Sequence, residues 1–301
     1  MKPAARRTTL IVLFSVLILL SYAVRTMFNG KPEGEIAAPQ SYNRIISLAP
    51  NITETLFALG LGVKVVGVTR YCLFPQEAAR KKNVGGLLDI NFEAIASLEP
   101  DLIVALPEHE EAKKRFTSLG IKVLTVENRA VKDILDSILA IGAACNVRGT
   151  AEEIVNGLKE RLNTSKKISA DLPRPRVLVS FTGGINNAFI AGRNTFYDEL
   201  IELAGGTNAY QDERIRFPSV SMEGIIALNP DIILNMVPLS KGKGLKAADI
   251  LNEWRGLTEV RAVREGRVYV LGNDYVTIPG PRFILLLEDM NKLIHPDVNG
   301  Q

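Results

Sequence analysis

Two glutamates at matching places in a repeated segment are the residues that first suggest chemistry. Residues 91–104 read NFEAIASLEPDLIV and residues 221–234 read SMEGIIALNPDIIL, and they agree at six of fourteen positions. Glu93 and Glu223 each stand third in their segment, in the first turn of a predicted helix. A carboxylate there is stabilised by the helix dipole by roughly 0.3–1 kcal/mol, so a purely structural role is one interpretation.

The other interpretation of this glutamate pair is contact with a partner protein. If the two segments belong to two lobes that face the same way, Glu93 and Glu223 both point outward, one from each lobe. Two separated like charges suit docking onto a partner with two basic sockets. Such charges determine the register of the complex and the rate of association more than the affinity. They make a poor acid–base pair, because two lobes would hold them too far apart.

An aromatic cluster follows the predicted strand 63–69 and is a candidate ligand contact. Tyr71, Cys72 and Phe74 stand at the carboxyl end of this strand, where open α/β sheets bind ligands. Aromatic rings offer flat apolar contact to a macrocycle, and the tyrosine adds a polar group. The alternatives are packing of the two rings beneath the loop and, for Cys72, an inert buried thiol.

Two further candidates follow other predicted strands. Asn187 and Phe189 come after strand 176–181, so the same rule predicts that they face the cleft. His109 follows another strand and could reach the cleft as an axial metal ligand. Its charged surroundings, PEHEEAKKR, favour instead a solvated side chain at a helix start.

The elements that must position these residues alternate along the chain. Short apolar strands alternate with amphipathic helices, which predicts an α/β fold with mainly parallel sheets. Residues 131–169 differ, because their helical pattern is broken only near 146–149 and its second part is long enough to join two lobes. The pattern therefore predicts an N-terminal α/β lobe over 43–148, a linking helix over 149–171 and a C-terminal α/β lobe over 172–301.

The N-terminus predicts export from the cytoplasm. Basic residues in MKPAARRTT precede the apolar run LIVLFSVLILL and the small-residue sequence SYA. This order is typical of a secretory signal peptide, and an uncleaved membrane anchor is the alternative for residues 1–29. Residues 30–42 are predicted to form a tether. Both interpretations place the remaining chain outside the cytoplasm, in the periplasm or an equivalent compartment.

Composition and motifs exclude several classes of protein. The net charge of +3 is mild and includes the basic N-terminus, so a nucleic-acid partner is not expected. Two cysteines and two histidines are a poor supply of ligands for a metal site. The chain has no phosphate-binding GxxxxGK[ST] loop, no GxSxG and no HExxH motif, so neither an ATPase nor a common hydrolase is indicated.

Several segments resemble one family of binding proteins. They are RIISLAPNITETLFALGLGVKVVGVTRYCLFPQEA, VGGLLDINFEAIASLEPDLIV, LGIKVLTV, ELAGGTNAY and RFPSVSMEGIIALNPDIIL. Together they resemble the extracytoplasmic substrate-binding proteins of ABC importers for cobalamin and iron–siderophore complexes. The resemblance covers roughly residues 43–295.

The resemblance implies a fold, a partner and a role for the two glutamates. Members of this class III type of periplasmic binding protein have two Rossmann-like α/β lobes joined by one long helix, with the ligand in the cleft between them. A glutamate on each lobe docks onto arginines of the permease dimer, which works with ATPase subunits, and Glu93 and Glu223 occupy these positions. The resemblance also implies a monomer that is not an enzyme and needs no bound cofactor.

The ligand implied by the resemblance is a corrinoid. TRYCLFPQEA matches the cobalamin-binding branch, in which an aromatic at the place of Tyr71 lines the cleft. Phe217 matches a tryptophan of one cobalamin binder, while Gly86 or Leu87 stands where its second tryptophan would be. A ferric siderophore or haem is the alternative ligand. Siderophore-binding members often place basic residues in the cleft, and the residues that keep this alternative are Arg70, Arg193 and Arg214. A metal-cofactor enzyme on a similar scaffold is the remote alternative.

Overall fold

The computed structural model describes residues 41–182, 184–239 and 246–297. The predicted signal peptide or anchor, 1–29, lies outside these residues, as does nearly all of the predicted tether. Within the described part of the chain, no helix is both long and apolar enough to cross a membrane. Tyr42, the last residue of the predicted tether, has 5% exposure and belongs to the core. Packing therefore begins before the predicted start of the first lobe.

The first sheet has five parallel strands in the order β3-β2-β1-β4-β5. The first strand of the chain lies at the centre, and later strands add on both sides. All three of its residues, Ile45, Ile46 and Ser47, are buried, as expected for the central strand of a parallel sheet that is covered on both faces. The strands are β1 Ile45–Ser47, β2 Val65–Val68, β3 Lys82–Asn83, β4 Leu102–Ala105 and β5 Lys122–Thr125.

The second sheet has four parallel strands in the order β11-β10-β6-β8. A separate pair, β7 and β9, is antiparallel and was not predicted, since each of these strands has only two residues. The strands are β6 Arg176–Ser180, β7 Ala188–Phe189, β8 Thr207–Asn208, β9 Ser219–Val220, β10 Ile232–Met236 and β11 Val268–Leu271.

Ten α-helices lie in the described residues, and the longest stands between the two sheets in the chain. It spans Arg148–Ser169, one to two residues away from each predicted end of the linking helix. The helices are α1 Pro50–Ala58, α2 Phe92–Ser97, α3 Glu110–Ser118, α4 Val131–Ala144, α5 Arg148–Ser169, α6 Phe196–Leu203, α7 Met222–Leu228, α8 Ala247–Trp254, α9 Arg261–Arg264 and α10 Phe283–Ile294. The predicted two-lobed α/β fold with mainly parallel sheets is confirmed.

One continuous apolar core connects the lobes. Buried side chains from α1, α5, α6 and α10 belong to the same cluster, for example Leu56, Leu158, Leu200 and Leu287. Burial of apolar surface is the main stabilising contribution to folding, so this shared core holds the lobes in one compact unit, Ser41–Gln301.

The last helix begins later than predicted. The segment PRFILLLEDMNKLI, 281–294, has a helical apolar pattern that predicts a helix with Pro281 in its first turn, but α10 starts at Phe283 with Arg282 as its N-cap residue. A tighter turn precedes it, in which the Phe283 N–H donates to the Gly280 carbonyl at 2.9 Å. The Arg282 side chain is engaged elsewhere, in an ion pair with the first lobe.

Candidate ligand cavity and docking surface

A cavity of about 560 Å³ lies at the carboxyl edge of the first sheet. Residues that follow β1, β2, β4 and β5 form most of its wall, which is the position where open α/β sheets bind ligands. Residues 277–279, which follow β11 of the second sheet, close one side. The lining residues are Ala49, Pro50, Asn51, Tyr71, Leu87, Leu88, Asp89, Leu106, Asn128, Thr277, Ile278 and Pro279.

The chemistry of this wall suits a large and mostly apolar ligand. Leucine, isoleucine, alanine and proline side chains provide most of the surface, with a few polar groups among them. Such walls hold a ligand by apolar burial while a few polar groups fix its orientation. The polar groups here are the side chains of Asn51, Tyr71, Asp89, Asn128 and Thr277.

Tyr71 lines the cavity and its side chain is half exposed, at 53%. Phe74, four-tenths exposed, instead lies beneath Arg282, whose guanidinium carbon is 3.6 Å from the ring centre. Cys72 corrects the expectation of a cleft residue, because it is 2% exposed and its thiol lies 3.1 Å from the Thr69 hydroxyl. Burial raises the pKa of the Cys72 thiol, which therefore stays protonated and inert.

Gly86 also differs from its expected role as a ligand contact. It is buried within a hairpin, 85–90, where its N–H donates to the Asp89 carbonyl at 3.1 Å. A Cβ atom at this position would lie 2.0 Å from Asp89 Oδ1, so a larger residue there would displace the Asp89 side chain. The residues that line the cavity are its neighbours, Leu87, Leu88 and Asp89.

His109 is buried, which corrects the expectation of a solvated histidine or an axial metal ligand. Its exposure is 3%, and both ring nitrogens have protein partners. Nδ1 accepts a hydrogen bond from the Leu106 N–H at 3.0 Å, and Nε2 lies 2.7 Å from the Leu87 carbonyl. A histidine held in this way has no free nitrogen for a metal. The described residues contain no group of three or more metal-binding side chains.

A buried ion pair connects the lobes beside the cavity, and sequence reasoning missed it. Arg282 donates to both carboxylate oxygens of Glu54, at 2.6 and 3.0 Å, and also to Asp274. The Glu54 side chain is only 3% exposed, and burial raises its pKa, an effect that Arg282 partly offsets. Glu54 lies one turn from cavity residue Asn51 on α1, so the pair fixes α1 against the segment that precedes α10.

An aromatic cluster on the second lobe contains Phe217, one of the predicted ligand contacts. Its rings are Phe181, Phe189, Tyr197 and Phe217, and the exposed pair, Phe189 and Phe217, is stacked with ring centres 5.8 Å apart. The Tyr197 hydroxyl donates to the Val276 carbonyl at 3.2 Å, which ties the cluster to the cavity wall at 277–279. Asn187, exposed with φ of 55°, forms the turn before β7.

The two predicted docking glutamates occupy equivalent local structures. Glu93 and Glu223 are both exposed in the first turn of their helices. Asn91 caps α2 by accepting from the Ala94 N–H at 2.9 Å, and Ser221 caps α7 by accepting from the Gly224 N–H at 3.3 Å. Asparagine and serine are among the preferred N-cap residues, so these residue types indicate the helix start in both copies and the structure shows both caps.

The surroundings of Glu93 include a second, polar cavity. Glu93 borders this open polar trough of about 750 Å³, lined by Arg70, Asn83, Gly85, Asp89, Ile90, Asn91, Phe92, Glu93 and Arg115. Arg70 and Asp89 form an ion pair of 2.5 Å in this trough. Asp89 lines the cavity as well, so the hairpin separates the two spaces.

Two α/β lobes with an apolar cavity at the carboxyl edge of parallel strands define a two-lobed ligand-binding protein. The periplasmic binding protein family matches residues 45–275, most of the chain, and the chain belongs to this family. The family consists of substrate-binding proteins, which confirms that the chain is not an enzyme.

Three known proteins illustrate the similarity. An uncharacterized ABC transporter substrate-binding lipoprotein of Bacillus subtilis is 32% identical over 272 residues, which cover 87% of this chain and 83% of the relative. The crystal structure of the periplasmic vitamin B12 binding protein of Vibrio cholerae has 27% identity and a TM-score of 0.73, and the match covers 86% of this chain and 99% of that protein. The apo structure of the periplasmic heme-binding protein from Roseiflexus sp. has 27% identity and a TM-score of 0.74, and the match covers 86% of this chain and 100% of that protein.

These similarities fix the general class of the protein. The chain is the substrate-binding component of an ABC importer of the vitamin B12, haem and siderophore type. Such components work with a membrane permease and its ATPase. The periplasmic and lipoprotein descriptions of these relatives agree with the expected extracytoplasmic location.

Proposed function

We propose that this protein captures a corrinoid in the cavity between its lobes and delivers it to the permease. The observation that carries the proposal is the half-exposed Tyr71 ring on the wall of a 560 Å³ apolar cavity. A corrin ring is a flat macrocycle with polar substituents. The ring face would contact Tyr71 and the leucines, and the amide groups would contact Asn51, Asn128 and Asp89.

The aromatic cluster of the second lobe supports a contact on the opposite face of the ligand. Phe189 and Phe217 expose stacked rings, and the cluster is tied through Tyr197 to the cavity wall. In this proposal Phe217 contacts the macrocycle, and Asn187 at the adjacent turn contacts its polar edge. The vitamin B12 binding protein of Vibrio cholerae, similar over nearly its whole length, also supports a corrinoid ligand.

The arginines that could bind an anionic siderophore are already paired with carboxylates. Arg70 pairs with Asp89, Arg193 with Asp198, and Arg214 with Asp212. A siderophore would have to displace these partners, so the pairing favours an uncharged macrocycle.

Haem is the second candidate ligand, and Tyr71 is the residue that favours it. A tyrosine phenol can serve as an axial ligand of haem iron, and Tyr71 is the exposed phenol on the cavity wall. His109 cannot take this role without breaking one of its two hydrogen bonds, because each ring nitrogen already has a partner. The similar Roseiflexus protein is described as heme-binding.

Delivery requires docking, and Glu93 and Glu223 are the proposed contacts with permease arginines. Each is exposed at the start of a short helix that is capped by its own lobe. The protein would act as a monomer outside the cytoplasm, exported or anchored by residues 1–29.

Ligand titration tests the proposal. Protein purified after expression from the full-length sequence is titrated with cyanocobalamin, hemin and a ferric siderophore by calorimetry and absorbance. We expect cyanocobalamin to bind with a dissociation constant of micromolar or below, about 8 kcal/mol of binding free energy. A response to hemin alone would replace the corrinoid by haem, and no response to any probe would refute both ligands.

Replacement of Tyr71 tests the cavity itself. Tyr71→Ala removes the ring from the wall and should weaken binding about tenfold or more, since aromatic contacts of this kind are worth about 1–3 kcal/mol. Leu119→Ala, which removes an exposed apolar side chain that does not line the cavity, is the matched control. Equal affinities of the two variants would show that Tyr71 packs against the loop and does not contribute to ligand binding.

A further inference from the structure

His109 is held in one tautomer by two backbone groups. The Leu106 N–H can only donate, so Nδ1, 3.0 Å away, carries no proton. The proton of the neutral ring is therefore on Nε2, which donates to the Leu87 carbonyl at 2.7 Å. Both bonds lie in a site where the ring is 3% exposed, so each is protected from competition with water.

The two residues bound by His109 both line the ligand cavity. Leu106 follows β4, and Leu87 lies at the tip of the hairpin 85–90. The base of this hairpin is well fixed, because the Arg70 N–H donates to the Gly85 carbonyl at 2.9 Å. At the tip, Leu88 is 77% exposed, and in the described part of the chain no other hydrogen bond reaches Leu87 or Leu88.

We propose that His109 is a positioning residue for ligand binding, which holds the hairpin tip against the strand edge through its Nε2–H bond to Leu87. This bond sets the distance between two parts of the cavity wall, and it adds a directional contact to the packing of the Leu87 side chain against the core cluster that contains Leu106. It also limits the motion of Asp89, which borders both the cavity and the polar trough. The effect on affinity rests on the proposed ligand-binding function, whereas the effect on the hairpin does not.

Two substitutions separate the hydrogen bond to Leu87 from the hydrogen bond to Leu106. His109→Asn places Oδ1 about where Nδ1 stands, so it keeps an acceptor for Leu106 but loses the donor to Leu87. His109→Gln places its amide nitrogen about where Nε2 stands, so it keeps the donor to Leu87 and loses the acceptor. Each variant loses one hydrogen bond, and we expect similar falls in melting temperature.

Amide hydrogen exchange of residues 86–90 tests the proposal without any ligand. His109→Asn should speed exchange in this segment, and His109→Gln should leave it near the wild-type rate. Nitrogen NMR of the wild-type protein, which has two histidines, should show one ring as the Nε2–H tautomer, and this signal should vanish in both variants. Unchanged exchange in His109→Asn would overturn the proposal.

Affinity for whichever of cyanocobalamin or hemin the wild-type protein binds gives the second readout. Loss of one hydrogen bond predicts about three- to tenfold weaker binding for His109→Asn and near wild-type binding for His109→Gln. Equal weakening by both variants would assign His109 a purely structural role. If the wild-type protein binds neither probe, the proposed ligands fail, and the exchange experiment still decides the role of His109.

Discussion

The repeated segment has the same backbone structure in both lobes but different side-chain neighbours. In each copy the third residue is an exposed glutamate, the fifth is a fully buried isoleucine, and the ninth has a left-handed backbone conformation. In each copy the aspartate accepts hydrogen bonds from the start of the first strand of its lobe. Asp101 accepts from the N–H groups of Asn43 and Arg44, and Asp231 accepts from the Arg176 N–H.

The neighbours differ at the helix start and at the left-handed position. Phe92 precedes Glu93 and packs beneath Arg115, whose guanidinium carbon is 4.1 Å from the ring centre, whereas Met222 precedes Glu223. Glu93 therefore shares its trough with arginines of its own lobe. The comparison teaches that the backbone requirements of the segment were kept while the surface around each glutamate changed, so the two glutamates are expected to contribute unequally to docking.

The largest effect is expected from removing both glutamates. Glu93→Ala with Glu223→Ala should abolish uptake while ligand affinity stays unchanged, because neither residue lines the cavity. Of the single variants, Glu223→Ala should reduce uptake more, since the positive charge of Arg115 already opposes a permease arginine near Glu93. Uptake by cells that carry the cognate permease is the measurement.

A matched control for the docking test is Glu110→Ala, which removes an exposed first-turn carboxylate from α3, outside the repeated segment. Uptake by this variant should equal that of the wild type. Normal uptake by the double variant would refute docking through the glutamates, and equal loss in the single variants would refute the predicted inequality.

A smaller effect is expected on stability from the two aspartates. Asp101→Ala leaves two backbone N–H groups without their acceptor and should lower the free energy of unfolding by about 2 kcal/mol. Asp231→Ala removes the acceptor of one backbone N–H and of Arg261, and should cost about 1–2 kcal/mol. Denaturant unfolding measures both, and the Asp→Asn variants, which keep one acceptor oxygen, should recover part of each loss.

The left-handed position predicts opposite effects in the two copies. Glu99 has φ of 43°, which is unfavourable for glutamate, so Glu99→Asn should stabilise the protein by about 0.5–1 kcal/mol. Asn229, with φ of 42°, also accepts from the Arg261 N–H at 2.8 Å, so Asn229→Glu should destabilise by about 1 kcal/mol. Changes of the same sign in thermal unfolding would contradict the equivalence of the two positions.

The smallest effect is expected at acid pH. The backbone N–H of Glu223 and the Ser221 hydroxyl lower the pKa of the Glu223 carboxyl below its usual value. A carboxyl whose pKa is lower in the folded than in the unfolded protein stabilises the folded state at a pH above the unfolded-state pKa. This contribution disappears as the pH falls through the folded-state pKa. Glu223→Gln should therefore be less stable than the wild type near neutral pH, and the difference should vanish in acid. Ser221→Ala should raise the carboxyl pKa in an NMR titration.

Much of the fold could be predicted because its patterns are local. The alternation of strands and helices, the Asn91 and Ser221 caps and the buried Ile95 and Ile225 follow from residue types a few positions apart. The place of Tyr71 on the cavity wall also follows, since it stands directly after a parallel strand. Its contact with a ligand stays a prediction.

Other parts of the site could not be predicted because their partners are distant in the chain. Asp89 and Thr277 share a cavity wall, yet nothing near either residue indicates the other. The charged residues around His109 suggested solvent exposure, but β4 and the hairpin 85–90 enclose its ring. Local composition describes the average surface of a segment and says little about one side chain that turns inward.

The sequence by itself determined the two α/β lobes, the long helix between them and the matched glutamates at two helix starts, because periodicity and capping act over one or two turns. Only the tertiary structure decided which side chains enclose the cavity and what holds its wall. Glu54 and Arg282 meet across 228 positions, and the His109 ring meets Leu87 across 22. These contacts exist because the folded core brings separate segments together, and no local pattern encodes that approach.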